Sequence, residues 1–196
     1  AKISYTAQTG NTELQIYGQT APNLDLSGLH IKYKSASTQL TIRVIESKDI
    51  TIGGTLNEET VLGTVRIQES ENIQFSPEFF VSANRVDTLH YTGSTGIVIP
   101  ENLEEAGLTE LNIYNTNLKE IPKEIFEITS LTDLEFSAAG DFEELPEEIG
   151  NLKNLETLSI TGGAFDKLPD SLFTLKKLTS LKLRSMALSD LSGNWA

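Results

Sequence analysis

One spacing restricts this chain more than any other feature. Leu108, Leu111 and Ile113 return as Leu131, Leu134 and Phe136, then as Leu155, Leu158 and Ile160, then as Leu178, Leu181 and Leu183, at intervals of 23, 24 and 23 residues. A second block follows each of the first three, running Ile121-Pro122 to Ile128, Leu145-Pro146 to Leu152 and Leu168-Pro169 to Leu175. Toward the N-terminus the pattern weakens without vanishing. Val86, Leu89 and Tyr91 lead to Ile99-Pro100, and Leu62, Val65 and Ile67 lead to Phe75 and Pro77. Ile42 and Val44 precede Ile50 and Ile52, and Thr12-Glu-Leu14-Gln-Ile16-Tyr17 echoes Thr109-Glu-Leu111-Asn-Ile113-Tyr114. With the middle apolar position as marker, the series is 14, 42, 65, 89, 111, 134, 158 and 181. A repeat of this length is one supersecondary unit that cannot bury its apolar face alone and must stack on its neighbours.

Within each unit the apolar residues alternate with polar ones, the mark of a strand with one buried face. Prolines form an independent ladder at Pro77, Pro100, Pro122, Pro146 and Pro169. Proline suits the first position of a short helix, where its missing N–H is no loss, and the acidic residues that follow it suit the positive end of the helix dipole. The reading is therefore strand, turn, short helix and return. Before Val86, β-branched residues and glycine, as in Ile50-Thr-Ile-Gly-Gly, replace helix formers, so extended or 3₁₀ backs are expected there.

These motifs resemble the leucine-rich repeat family in its 23-residue LPxxIxxLxxLxxLxL variant, strongly over Val86 to Leu183. The resemblance implies an α/β fold: a curved, horseshoe-shaped leucine-rich-repeat solenoid of about eight coils. Its parallel β-sheet would line the concave face, with short helices or 3₁₀ and extended segments on the convex face. A single domain is expected over residues 1–196. It divides into an N-terminal capping or irregular coil (1–38), degenerate repeats (39–85), regular repeats (86–183) and a short C-terminal end (184–196). The strands Lys2–Tyr5 and Leu29–Tyr33 are read as caps, and Trp195 as folding back over the last coil. The sequence departs from the family at the asparagine that ordinarily follows the strand. There stand Ser47, Ser70, Ser94, Thr116, Ala139, Gly163 and Met186. The first four are expected to bond locally through their hydroxyls, and the last three to leave their turns to backbone bonds or water.

Composition narrows the function classes. The chain has 196 residues, no cysteine and a net charge of −13. That charge disfavours nucleic acid and anionic membrane, and the missing thiols exclude disulfides and thiolate chemistry. No apolar run long enough to cross a membrane occurs, so membrane insertion is not expected. The opening Ala1, the absence of cysteine and the absence of an Asn-x-Ser/Thr sequon together point to a secreted or surface protein of a bacterium, with the cytoplasm as the alternative. The acidity is uneven: residues 66–150 hold 4 basic and 18 acidic side chains, whereas 1–65 carry a net −1 and 151–196 a net +2. Solubility explains such a block, and so does steering of a partner with a basic surface.

No catalytic, metal or cofactor constellation appears. Only His30 and His90 are present, in different coils, and the glutamate pairs lack the Asp/Asn alternation and glycine of a calcium loop. Tyr91 replaces the last strand leucine and is assigned to the core. The informative surface is the outward side of the strands, where residues one period apart form columns. The first column runs Gln15, Arg43, Arg66, His90, Asn112, Glu135, Ser159, Lys182. The second runs Tyr17, Ile45, Gln68, Thr92, Tyr114, Ser137, Thr161, Arg184. The third runs Glu13, Thr41, Thr64, Thr88, Glu110, Asp133, Thr157, Ser180. Candidate partner-binding residues are Tyr17, Arg43, Arg66, Gln68, His90, Thr92, Asn112, Tyr114, Glu135, Lys182 and Arg184, with the two tyrosines as anchors. The function expected is a non-enzymatic protein–protein interaction module. The alternatives are a bacterial adhesin or glycan-binding repeat protein, or the recognition fragment of a longer multidomain protein.

Overall fold

A computed structural model of the protein describes residues 2–7, 11–18, 20, 23–25, 39–56, 61–83, 85–116, 118–138, 142–185 and 188. Twelve strands are found among them: β1 (Lys2–Ala7), β2 (Asn11–Tyr17), β3 (Asn23–Asp25), β4 (Gln39–Ile45), β5 (Lys48–Gly53), β6 (Val61–Gln68), β7 (Glu71–Phe75), β8 (Arg85–Thr92), β9 (Glu110–Thr116), β10 (Asp133–Ala138), β11 (Thr157–Thr161) and β12 (Ser180–Arg184). Nine of them make one sheet in the order β1-β2-β4-β6-β8-β9-β10-β11-β12, and β3-β5-β7 make a second. Every pairing in the large sheet is parallel except β1 with β2. The antiparallel β1 covers the outer edge of β2, as expected for a cap over Lys2–Tyr5. Leu29–Tyr33 and Trp195 lie outside the described residues.

The register follows the repeat through the whole stack. Leu14 pairs with Ile42, Ile42 with Val65, Val65 with Leu89, Leu89 with Leu111, Leu111 with Leu134, Leu134 with Leu158, and Leu158 with Leu181. A slip of one residue would turn every one of these side chains outward. Instead Leu14 to Leu158 join a single buried apolar cluster, and the half-buried Leu181 packs against it. Tyr91 belongs to that core, at 1 % exposure. The fold is a leucine-rich-repeat solenoid.

The backs of the coils change along the stack. The early coils return through the extended strands β3, β5 and β7, favoured in β5 and β7 by the β-branched Ile50, Thr51, Ile52 and Ile73, and one adds the short helix α1 (Pro77–Val81). The later coils return through 3₁₀ turns at Lys123–Glu127, Glu147–Asn151 and Asp170–Thr174. Proline occupies the first helical position only in α1. At Pro122, Pro146 and Pro169 it stands one residue earlier, in extended backbone. There its carbonyl accepts the N–H of Ile125, Ile149 and Leu172 at 3.1–3.2 Å. A proline lacks a donor but keeps its acceptor, so it starts a 3₁₀ turn from outside.

The serines after the strands bond locally as expected, Ser47 Oγ donating to Ile45 O at 3.0 Å for one, and most of these turns also open on a left-handed residue. Gly18, Glu46, Glu69, Gly93, Asn115, Gly162 and Ser185, each one residue past the outward column of Tyr17, Tyr114 and Arg184, have positive φ. In this pose the N–H of Glu46 donates to Gln68 O at 3.1 Å, that of Glu69 to Thr92 O at 2.9 Å, and that of Gly93 to Tyr114 O at 3.0 Å. Each bond crosses to the next coil, and two of the three hold a non-glycine residue, Glu46 or Glu69, in the left-handed region.

The serines that follow also reach farther than local bonding. Ser70 Oγ accepts the N–H of Ser47 at 3.1 Å, and Ser94 Oγ accepts that of Ser70 at 3.2 Å. Their own hydroxyls donate to Gln68 O at 2.7 Å and Thr92 O at 3.1 Å. All three serines are buried. A hydroxyl, both donor and acceptor, therefore links adjacent coils. Thr116 corrects the expectation for the fourth position: it is buried, yet Oγ1 finds no hydrogen-bond partner among the described residues. At Gly163 the turn relies on backbone, with Gly162 N–H donating to Arg184 O at 2.9 Å. Ala139 and Met186 lie outside the described residues.

Candidate functional site: the outward face of the nine-stranded sheet

All three columns read from the sequence stand in register. Gln15, Arg43, Arg66, His90, Asn112, Glu135, Ser159 and Lys182 pair in succession, as do the columns on either side. Parallel strands lie about 4.8 Å apart, so eight strands set out a grid of side chains with fixed spacing.

Hydrogen bonds organise this grid locally. Glu13 Oε1 accepts from Gln15 Nε2 at 3.0 Å and from Arg43 Nη1 at 3.3 Å, and Arg43 also grips Gln68 Oε1 through Nε at 3.1 Å and Nη2 at 2.7 Å. Tyr17 is 43 % exposed, and its hydroxyl donates to Glu46 Oε2 at 2.5 Å, which pushes its pKa above the ordinary phenol value. Arg66 is exposed, and among the described residues it is in no ion pair.

In the middle of the sheet the His90 and Tyr114 rings lie 5.2 Å apart. Partial burial, then the neighbouring Arg66 charge, lower the His90 pKa, against the opposing pull of Glu110 and Glu135. Burial, then the Glu135 carboxylate that takes its hydroxyl hydrogen bond, raise that of Tyr114. Glu110 accepts from Asn112 Nδ2 at 2.5 Å and from Thr88 Oγ1 at 3.2 Å, and Glu135 accepts from Ser159 Oγ at 3.0 Å. Asn112 is only 7 % exposed, so its amide positions Glu110 more than it meets a visitor. Thr92 is half-buried beside Tyr114, and Lys182 and Arg184 are exposed at the far edge.

The face is thus zoned by charge. Arg43 and Arg66 lie on β4 and β6, Glu110, Asp133 and Glu135 on β9 and β10, and Lys182 and Arg184 on β12. Sequence reasoning chose most of the exposed groups but missed Glu13 and Glu110 as organisers. The signal was present: each stands two residues before an amide, and side chains two apart on a strand share a face. The acidic excess of residues 66–150 lies largely elsewhere, because ten exposed glutamates between Glu101 and Glu148 sit outside the strands, on the coil backs. Among the described residues no group of three His, Asp or Glu side chains is placed to hold a metal ion, and no helix is long and apolar enough to cross a membrane.

Fold and face together define a repeat protein that presents a long, polar, strand-built surface. No protein-family profile matches the chain, and no curated protein matches it. Among solved structures it is similar to an internalin (inlF) from Listeria monocytogenes, with 13 % identity and a TM-score of 0.49, over 85 % of this chain and 52 % of that one. The chain therefore spans about half the length of that protein.

Proposed function

We propose that the chain is a non-enzymatic protein-binding module of the leucine-rich repeat family, and that it takes its partner on the outward face of the nine-stranded sheet. The observation that carries this reading is the unbroken register of three outward, mostly polar columns over eight strands. A rigid grid loses little entropy on binding, because its side chains are already ordered by neighbours such as Glu13 and Glu110. Charge zoning sets the partner's chemistry: basic groups opposite Glu110, Asp133 and Glu135, and acidic groups opposite Arg66 and the Lys182–Arg184 edge. Tyr17 and Tyr114 supply the aromatic area on which hot spots are commonly built. The compartment we assign, from the sequence, is the bacterial surface or exterior.

The test is capture of a partner from the native source by wild-type protein and by a variant carrying Tyr17→Ala, Arg66→Ala and Arg184→Ala. All three side chains are exposed, so melting should be unchanged while partner recovery falls about tenfold or more, the effect of removing hot-spot residues. Undiminished capture by the folded variant would overturn the reading.

A further inference from the structure

The position two residues before each coil's proline reads Phe75, Val98, Glu120, Glu144 and Lys167. The last three are charged and exposed, as a surface facing water requires. Val98 occupies the same place and is 47 % exposed, more than any other large apolar side chain among the described residues. Its main chain is pinned, since the hydroxyl of the buried Tyr91 donates to Val98 O at 3.0 Å. An exposed valine whose main chain is fixed by a core tyrosine is a preorganised apolar contact.

Val98 stands in a furrow of about 470 Å³ on the coil backs, with Phe75, Pro77, Ile97, Ile99 and Pro100 beside it. A second furrow of about 540 Å³ continues from it, and Ile99, Pro100, Glu101 and Glu124 line both. Along this channel Glu101, Glu104, Glu105, Glu124 and Glu127 are exposed, and no Lys, Arg or His lines it. None of the five is in an ion pair among the described residues. Five like charges around an apolar strip repel one another and raise the local potential for cations.

We propose that this channel is a second docking site, separate from the strand face. Its occupant is an extended cationic segment of another protein that seats one apolar side chain against Val98 and sets Lys or Arg against the five carboxylates. A second copy of this chain, with its net charge of −13, lacks the complementary charge.

The experiment uses fluorescein-labelled decapeptides read by anisotropy at low and high salt. One peptide carries Lys and Arg around a central Leu, the second has that Leu replaced by Ser, and the third has its cations replaced by Glu. The first should bind, the second about tenfold or more weakly, and the third not measurably, because anchor and charge each contribute. Val98→Asp, and separately Glu101→Lys with Glu124→Lys, should each weaken the first peptide by a similar factor while the far-ultraviolet spectrum stays native. The Tyr17, Arg66 and Arg184 triple variant should bind it unchanged, so this site and the strand face fail independently. Equal binding of the first two peptides, undiminished affinity in both channel variants, loss in the triple variant, or no binding of the first peptide at millimolar concentration would each overturn the proposal.

Discussion

Replacing Ser94 by alanine tests how adjacent coils are joined. The Ser94 hydroxyl accepts the N–H of Ser70 at 3.2 Å and shares its proton between Thr92 O at 3.1 Å and Ile67 O at 3.3 Å. The Thr92 carbonyl keeps a second donor when the hydroxyl goes, because Glu69 N–H reaches it at 2.9 Å. The Ser70 N–H has no such reserve. Ser94 is 1 % exposed and Ser70 4 %, so water has no easy route to the orphaned donor. A buried amide left unmade costs about 1–3 kcal/mol, and Ser94→Ala should fall near the middle of that range. Thr116 gives the matching control. Its buried hydroxyl lacks a partner among the described residues, so Thr116→Val removes a polar atom that contributes desolvation cost and no bond. That variant should be neutral, or more stable by up to about 1 kcal/mol. Urea unfolding followed by circular dichroism measures both, provided the slope with denaturant is unchanged. If Ser94→Ala loses under about 0.5 kcal/mol, or Thr116→Val loses as much as Ser94→Ala, the hydroxyl ladder does not join the coils as described.

Three further predictions follow from other parts of the stack. Leu134→Ala, flanked by Leu111 and Leu158 in the fully paired interior, should cost roughly 3–4 kcal/mol, whereas Leu181→Ala on the half-covered β12 should cost about half that; denaturant curves of the pair decide it. The Glu147 carboxylate accepts backbone N–H bonds from Ser171 at 2.9 Å and Asp170 at 3.3 Å, and these hold its pKa below the usual glutamate value. Its contribution to stability is complete above the unfolded-state value and is lost as pH falls through the folded one, so Glu147→Gln should flatten the acid limb of the stability curve. Burial and Arg66 depress the His90 pKa, so the unfolded chain binds that proton first and stability falls as pH drops below about 6.5; Arg66→Ala should raise the His90 midpoint in an NMR titration.

The repeat made most of the fold legible. Its seven intervals place Leu14, Ile42, Val65, Leu89, Leu111, Leu134, Leu158 and Leu181 in one column, and the strands pair at those residues. This works because side chains alternate along a strand and parallel neighbours stack in step. Tyr91 was assignable to the core for the same reason. The extended backs before Val86 were legible from β-branched residues and glycine, but the short helix Pro77–Val81 among those early coils, the 3₁₀ turns from Lys123 onward where short helices were expected, and the placement of Pro122, Pro146 and Pro169 just outside their turns were not.

What the sequence determined by itself is the order of the coils and which side of each strand is buried, since both depend only on local periodicity. It could not rank the outward side chains. Asn112 and Arg66 occupy equivalent outward positions in the pattern, yet the first is 7 % exposed and bonded to Glu110 while the second is exposed. The tertiary structure alone decided where the charge lies. A linear count assigns the acidic excess to a stretch of chain, but each coil winds through both a strand and a back, and folding sends most of those carboxylates to the backs. The same winding put Val98 beside Phe75, a residue 23 positions earlier, because only stacking brings one lap of the chain against the next.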